Sequence, residues 1–133
     1  MAVIGRSLGS GVAVHVASIR DVSKLVLVTP YDSIESLAEA QFAFFPVSWL
    51  LRDKFDSLRR AKDVRAPVLV LMADTDTVVP HTNTERLVAA FAPGQAAVET
   101  IAGTDHGSIT GSRDYLEALR AFLAEPGESP SIR

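Results

Sequence analysis

The sequence predicts an α/β fold: a mostly parallel sheet of about four strands, with helices on both faces and a helical, lid-like insert. Three observations predict it. Short apolar runs at Ala2 to Ile4, Lys24 to Thr29, Val68 to Met72 and Val98 to Ile101 alternate with segments of helical pattern. That alternation suits parallel strands joined by right-handed crossovers, because parallel neighbours cannot be linked by a tight hairpin. The runs at 24–29 and 68–72 are continuously apolar rather than alternating, as expected of strands covered on both faces. The polar, glycine-bearing loops that follow these runs stand at the carboxyl ends of the strands, the edge where open α/β sheets bind ligands.

Each element has its own justification. After the first run, residues 9–20 are helical and almost without a polar face (Val12, Ala13, Val14, Val16, Ala17, Ile19), so this helix is expected to be buried on most sides. Gly9, Gly11, Ala13 and Ala17 allow it close to the sheet. Pro30 stops the second strand. Asp32 with Glu35 opens a helix, and Phe42, Phe44, Phe45, Trp49 and Phe55 then crowd around Pro46. This insert, residues 33–62, reads equally as a wall over a binding site or as a helix pair packing on the sheet. Its end, residues 52–62, is charged and expected to be solvated. Thr82 and Glu85 form a capping box that starts a further helix, with Leu87, Val88 and Phe91 on one face. Ser112 is placed to cap the last helix, whose stripe is Leu116, Leu119, Phe122 and Leu123. Residues 1–124 are expected to form the folded unit, and residues 125–133, rich in Pro, Gly, Ser and Glu, a disordered tail.

Length and composition exclude several classes. A chain of 133 residues is a single domain with a small core. A hydrophobic content of 47% is ordinary for a globular protein. The net charge of −3, without a basic cluster, argues against a nucleic-acid partner. With no cysteine there is no disulfide, thiolate nucleophile or thiolate metal site. No run reaches membrane-spanning length and the first residues do not read as a signal peptide, so a cytoplasmic protein without a membrane span is expected.

The chemistry centres on Gly5-Arg6-Ser7-Leu8-Gly9, a G-x-S-x-G pattern between a strand and a helix. The bare pattern arises by chance in roughly a few per cent of chains this long. Its setting is that of a nucleophile elbow, where a sharp turn holds the serine hydroxyl out and glycines on either side remove clashing Cβ atoms. The third run leads into Ala73-Asp74-Thr75-Asp76, and the fourth into Gly103-Thr104-Asp105-His106-Gly107. Ser7, an acid near position 76 and His106 would therefore meet on one rim. The chain order Ser, Asp, His is one in which such triads occur.

Together, Gly5-Arg6-Ser7-Leu8-Gly9-Ser10-Gly11, Asp76-Thr77-Val78-Val79-Pro80 and Gly103-Thr104-Asp105-His106 resemble the α/β-hydrolase superfamily, in its serine-aminopeptidase-like and esterase-like branch. The resemblance covers residues 2–124 and is to the C-terminal half of that fold. It implies a partial α/β-hydrolase fold and a serine hydrolase of carboxylic esters, with amides or peptides second. Ser7 would be the nucleophile, His106 the base and Asp76 the orienting acid, working through an acyl-enzyme. Asp74 and Asp32 remain alternatives for the acid. The backbone N–H of Leu8 would supply one oxyanion-hole donor, and the second would come from a loop outside this chain. No cofactor and no metal is implied, and the partner is a small ester or amide substrate. His15 and His81 read as structural or solvent-facing, Asp105 as solvent-exposed, and Arg6 as solvated or facing an anionic substrate group.

Two further readings stand beside this one. In the α/β-hydrolase fold the strand before the nucleophile is central, whereas here Ala2 to Ile4 is an uncovered edge. Such an edge invites self-association, and the chain could be a truncated, catalytically impaired hydrolase fragment or an interaction module. A nucleotide loop at Gly9-Ser10-Gly11 is disfavoured, because Val14 replaces the third glycine and no Walker lysine follows.

Overall fold

The computed structural model describes residues 1–7, 9–30, 57–76 and 81–125. Leu8, the aromatic-rich part of the insert with Asp32, residues 77–80 and the tail from residue 126 lie outside the described residues. The described elements run in order β1 (Ala2–Arg6), α1 (Gly9–Ile19), β2 (Lys24–Val28), α2 (Ser57–Ala61), β3 (Val68–Thr75), α3 (His81–Ala90) and β4 (Ala96–Asp105). A 3-10 turn (Ile109–Gly111) and α4 (Arg113–Ala124) follow. The four strands form one sheet of order β1-β2-β3-β4, every neighbouring pair parallel. The expected four-stranded parallel sheet is therefore present, with strands longer than the apolar runs that predicted three of them.

Alternation along each strand divides the core into two layers. Leu25 and Leu27 of β2 and Val68, Val70 and Met72 of β3 face one way, packing with Ala13, Val14 and Ala17 of α1, Ala61 of α2, and Leu87 and Phe91 at α3. Val26, Val28, Leu69, Leu71 and Ala73 face the other way, against Ile101, Ile109 and Tyr115. The central strands are buried on both sides, which is why their sequences carry no polar alternation.

Several local expectations are corrected. The α1 helix is not buried all round: Val12 and Ile19, two turns apart, are 47% and 65% exposed. The charged segment before β3 is not wholly solvated, since Ser57 and Ala61 of α2 are buried. The capping box at Thr82 is displaced. The helix already begins at His81, and Thr84 turns inward, its hydroxyl donating to the Pro30 carbonyl at 2.8 Å. Ser112 occupies the N-cap of α4, but its side chain makes no capping bond. The buried stripe of α4 is Tyr115, Ala118, Leu119 and Phe122, leaving Leu116 and Leu123 exposed.

Lys24, in the otherwise apolar β2, is buried. Its ammonium donates to the carbonyls of Phe122 and Glu125 and lies 5.3 Å from the Phe122 ring centroid. A cation at the carboxyl end of α4 satisfies orphan carbonyls and complements the helix dipole. Among the described residues, no helix is long and apolar enough to cross a membrane.

Candidate active site

Because all strands are parallel, their carboxyl ends share one rim: Ser7 follows β1, Thr29 follows β2, Asp76 follows β3 and His106 follows β4. The turn after β1 is tight. Ser7 has φ 51°, a left-handed conformation rare for a residue with a Cβ. The turn is pinned on both sides. The Ser7 N–H donates to the Val28 carbonyl at 2.8 Å, and the Ser7 carbonyl accepts from the Ser10 N–H at 3.0 Å and the Ser10 hydroxyl at 2.6 Å. A Cβ at Gly5 would lie 2.5 Å from the Ala13 Cβ and 2.7 Å from the Gly9 carbonyl oxygen, so α1 can approach β1 only over a glycine. Gly9 is different: a Cβ there would meet nothing within 4 Å among the described residues. The expected steric need for glycine on both sides of the serine holds for Gly5 only.

Thr29, next along the rim, also has a left-handed backbone (φ 46°), unusual for a β-branched residue. Its buried hydroxyl has no hydrogen-bond partner among the described residues. The His81 Nε2 donates to the Ala73 carbonyl at 2.7 Å, which makes this histidine part of the packing between α3 and β3.

The acid and the imidazole are brought together. His106 Nδ1 donates to Asp76 Oδ2 at 3.0 Å, with the Asp76 side chain only 3% exposed and that of His106 16% exposed. This bond fixes the tautomer and leaves Nε2 as the free acceptor. Asp74 is otherwise engaged: its Oδ2 accepts from the Gly103 N–H at 3.2 Å. The cause is a bulge. Ala73 pairs with Ile101 and Thr75 with Asp105, so β4 gains two residues on β3 between those pairs. Gly103 supplies the left-handed conformation (φ 73°) that the bulge needs. The Thr104 hydroxyl donates to the Ile101 carbonyl at 2.6 Å, and the Thr75 hydroxyl to the Thr104 carbonyl at 3.2 Å.

The turn that carries His106 is braced locally. Asp105 Oδ1 accepts from the Gly107 and Ser108 N–H groups at 3.0 and 2.8 Å, and the Ser108 hydroxyl accepts from the Asp105 N–H at 2.9 Å. The Ser108 backbone N–H is the main cause that holds the Asp105 carboxyl below its ordinary pKa of 3.8, with the Ser108 side chain, the Gly107 N–H and His106 adding to it. Asp105 is exposed, as expected, but structural. The signal for that role is an Asp followed three residues later by Ser, the pattern of an Asx-type turn.

Ser7 and His106 approach through Arg6, whose Nη2 donates to the His106 carbonyl at 2.8 Å. Among the described residues, no hydrogen bond joins the Ser7 hydroxyl to the imidazole. A cavity of about 550 Å³ lies elsewhere, along Gly111, Arg113, Leu116, Glu117 and Arg120.

Comparison with known proteins agrees with this architecture. The sequence of the TAP-like protein family of α/β-hydrolases (Abhydrolase_4) matches residues 47–131. An uncharacterized protein of Mycobacterium tuberculosis, Rv2307c, is 38% identical over 126 residues, covering 94% of this chain and 45% of its own length. The chain thus spans about half the length of the curated relatives it matches. An acetyl xylan esterase from Paenibacillus sp. R4 superposes with a TM-score of 0.71 at 21% identity, over 92% of this chain and 44% of the esterase. That likeness concerns the fold alone. A puromycin-hydrolyzing peptidase of Mycobacterium tuberculosis superposes with a TM-score of 0.67 at 25% identity, over 93% of this chain and 21% of the peptidase. The chain belongs to the α/β-hydrolase superfamily, in its TAP-like protein family.

Proposed function

We propose that this chain carries the triad of a serine hydrolase that cleaves carboxylic esters, with amides or peptides as a second class. The observation that carries the reading is the 3.0 Å bond from His106 Nδ1 to the nearly buried Asp76 carboxylate, on the rim that also presents Ser7. A puromycin-hydrolyzing peptidase of similar structure, at 25% identity, supports acyl transfer without choosing the leaving group for this chain.

In this mechanism His106 Nε2 accepts the Ser7 proton as the hydroxyl oxygen attacks the substrate carbonyl carbon. Asp76 holds the ring and stabilises the imidazolium that results. The Leu8 N–H donates to the oxyanion of the tetrahedral intermediate. His106 then returns the proton to the departing alkoxide or amine, leaving an acyl group on Ser7. Water, deprotonated by His106, attacks the acyl carbon and releases the acid, and the proton returns to Ser7. In this reading residues 1–124 are the C-terminal half of the α/β-hydrolase domain, with residues 33–62 as an insert and residues 125–133 as a tail.

The test is turnover of 4-nitrophenyl acetate by the intact protein. Ser7→Ala and His106→Ala are expected to remove turnover above background, and Asp76→Asn to lower kcat about 10⁴-fold by presenting the wrong tautomer. Equal turnover by Ser7→Ala overturns the reading.

A second reading, an impaired fragment or interaction module, rests on the open side of β1. Among the described residues β1 pairs with β2 alone, and Met1 and Ile4 are 76% and 49% exposed. The same edge is proposed to drive self-association of the 133-residue chain. Ester turnover by that chain, abolished by Ser7→Ala, counts against this second reading.

A further inference from the structure

We propose that Arg6 is a positioning residue: its guanidinium tethers the turn that carries His106 to the strand that delivers Ser7. The catalytic consequence of the tether rests on the hydrolase reading above, while the tether itself does not.

The sheet order gives the argument. The β1 and β4 strands are opposite edges of the four-stranded sheet. Three interstrand spacings separate them, about 14 Å. For the His106 carbonyl to come within 2.8 Å of Arg6 Nη2, the long Arg6 side chain and the turn after β4 must together cross the ends of β3 and β2. The bulge at residues 101–105 starts that crossing and the Asp105–Ser108 brace stiffens the turn, but both act only locally or on the adjacent strand. The Asp76 bond orients the ring from β3. The Arg6 bond is the described contact that joins the two edges, 100 residues apart in sequence. A hydrogen bond from a charged donor is stronger than a neutral one, which suits Arg6 to an exposed position.

This geometry also separates Arg6 from the sequence-based alternative of a residue facing an anionic substrate group. The described bond is a single N–H donated to a neutral carbonyl of the chain itself. Lysine can also make one such bond, so a tether tolerates Lys. Misplacing a catalytic base by about 1 Å can cost up to 10²-fold in rate.

The experiment compares Arg6→Met, Arg6→Lys and wild type in the intact protein, by amide hydrogen exchange and by turnover of neutral 4-nitrophenyl acetate and anionic mono-4-nitrophenyl succinate. Arg6→Met is expected to speed exchange of residues 104–111 about tenfold without changing exchange in β2 and β3. It should also lower kcat for both esters about tenfold with KM within twofold, and Arg6→Lys should recover most of that loss. In a His106→Ala background, which keeps the backbone carbonyl that Arg6 holds, Arg6→Met should still speed exchange of residues 104–111 about tenfold. Unchanged exchange in residues 104–111 overturns the tether, whatever Ser7 does. A KM rise confined to the anionic ester, with kcat unchanged, overturns it by assigning Arg6 to the substrate. Turnover retained by Ser7→Ala defeats the hydrolase reading instead, and the exchange measurement still decides the tether.

Discussion

The turn at Ser7 concentrates two separable requirements in three residues. Its left-handed backbone costs of order 1–2 kcal/mol for a residue with a Cβ, and such strain persists where the surrounding structure enforces it. Ser7→Gly is expected to raise unfolding stability by about 1 kcal/mol in urea denaturation while removing ester turnover. Ser7→Ala should remove turnover without that gain, because alanine keeps the Cβ. Gly5 and Gly9 are expected to differ in the same assay. Gly5→Ala drives a Cβ into Ala13 and the α1 backbone and should cost about 2 kcal/mol or more. Gly9→Ala meets nothing within 4 Å among the described residues and should be neutral within about 0.5 kcal/mol. The sequence pattern treats the two glycines alike, and only the packing of α1 on β1 tells them apart. The choice between Asp74 and Asp76 has the same origin. Their spacing is legible in sequence, whereas the bulge that occupies Asp74 with Gly103 arises from a pairing irregularity between distant strands.

At the scale of elements, the turn after β4 depends on an ionised Asp105. The depressed pKa means that the folded turn prefers the carboxylate. The stabilisation is therefore fully present above the ordinary value of 3.8 and is lost as pH falls through the lower folded value. The Gly107 and Ser108 amide resonances should titrate together with a midpoint below 3.8, and Asp105→Asn should abolish that titration. A midpoint at or above 3.8 contradicts the bracing role. The central strands were legible because burial on both faces leaves an unbroken apolar run, as in Leu25 to Val28 and Val68 to Ala73, whereas their order in the sheet has no local signature. Element ends were less legible. The β4 strand runs ten residues where four were expected, because its outer part is an exposed edge without an apolar signature. The inward-turned Thr84 and the buried Lys24 answer to partners 54 and about 100 residues away, which no local pattern encodes.

For the whole molecule, we propose that the edge at β1, which among the described residues pairs with β2 alone, brings copies of the 133-residue chain together. Met1 and Ile4 of that segment are exposed. Sedimentation velocity of the 133-residue chain is expected to show concentration-dependent association. Ile4→Lys should weaken it, since a charge on an edge strand opposes strand addition. Concentration-independent monomers would remove the proposed role of that edge. The same topology underlies the functional reading: parallel strands carry Ser7, Asp76 and His106 to one rim although 99 positions separate the first from the last. The most direct test is mass spectrometry of the intact protein after reaction with a fluorophosphonate, followed by peptide mapping. The account predicts a single phosphonyl adduct on the peptide containing Ser7, lost in His106→Ala. An unmodified protein, or an adduct confined to another serine, would contradict it.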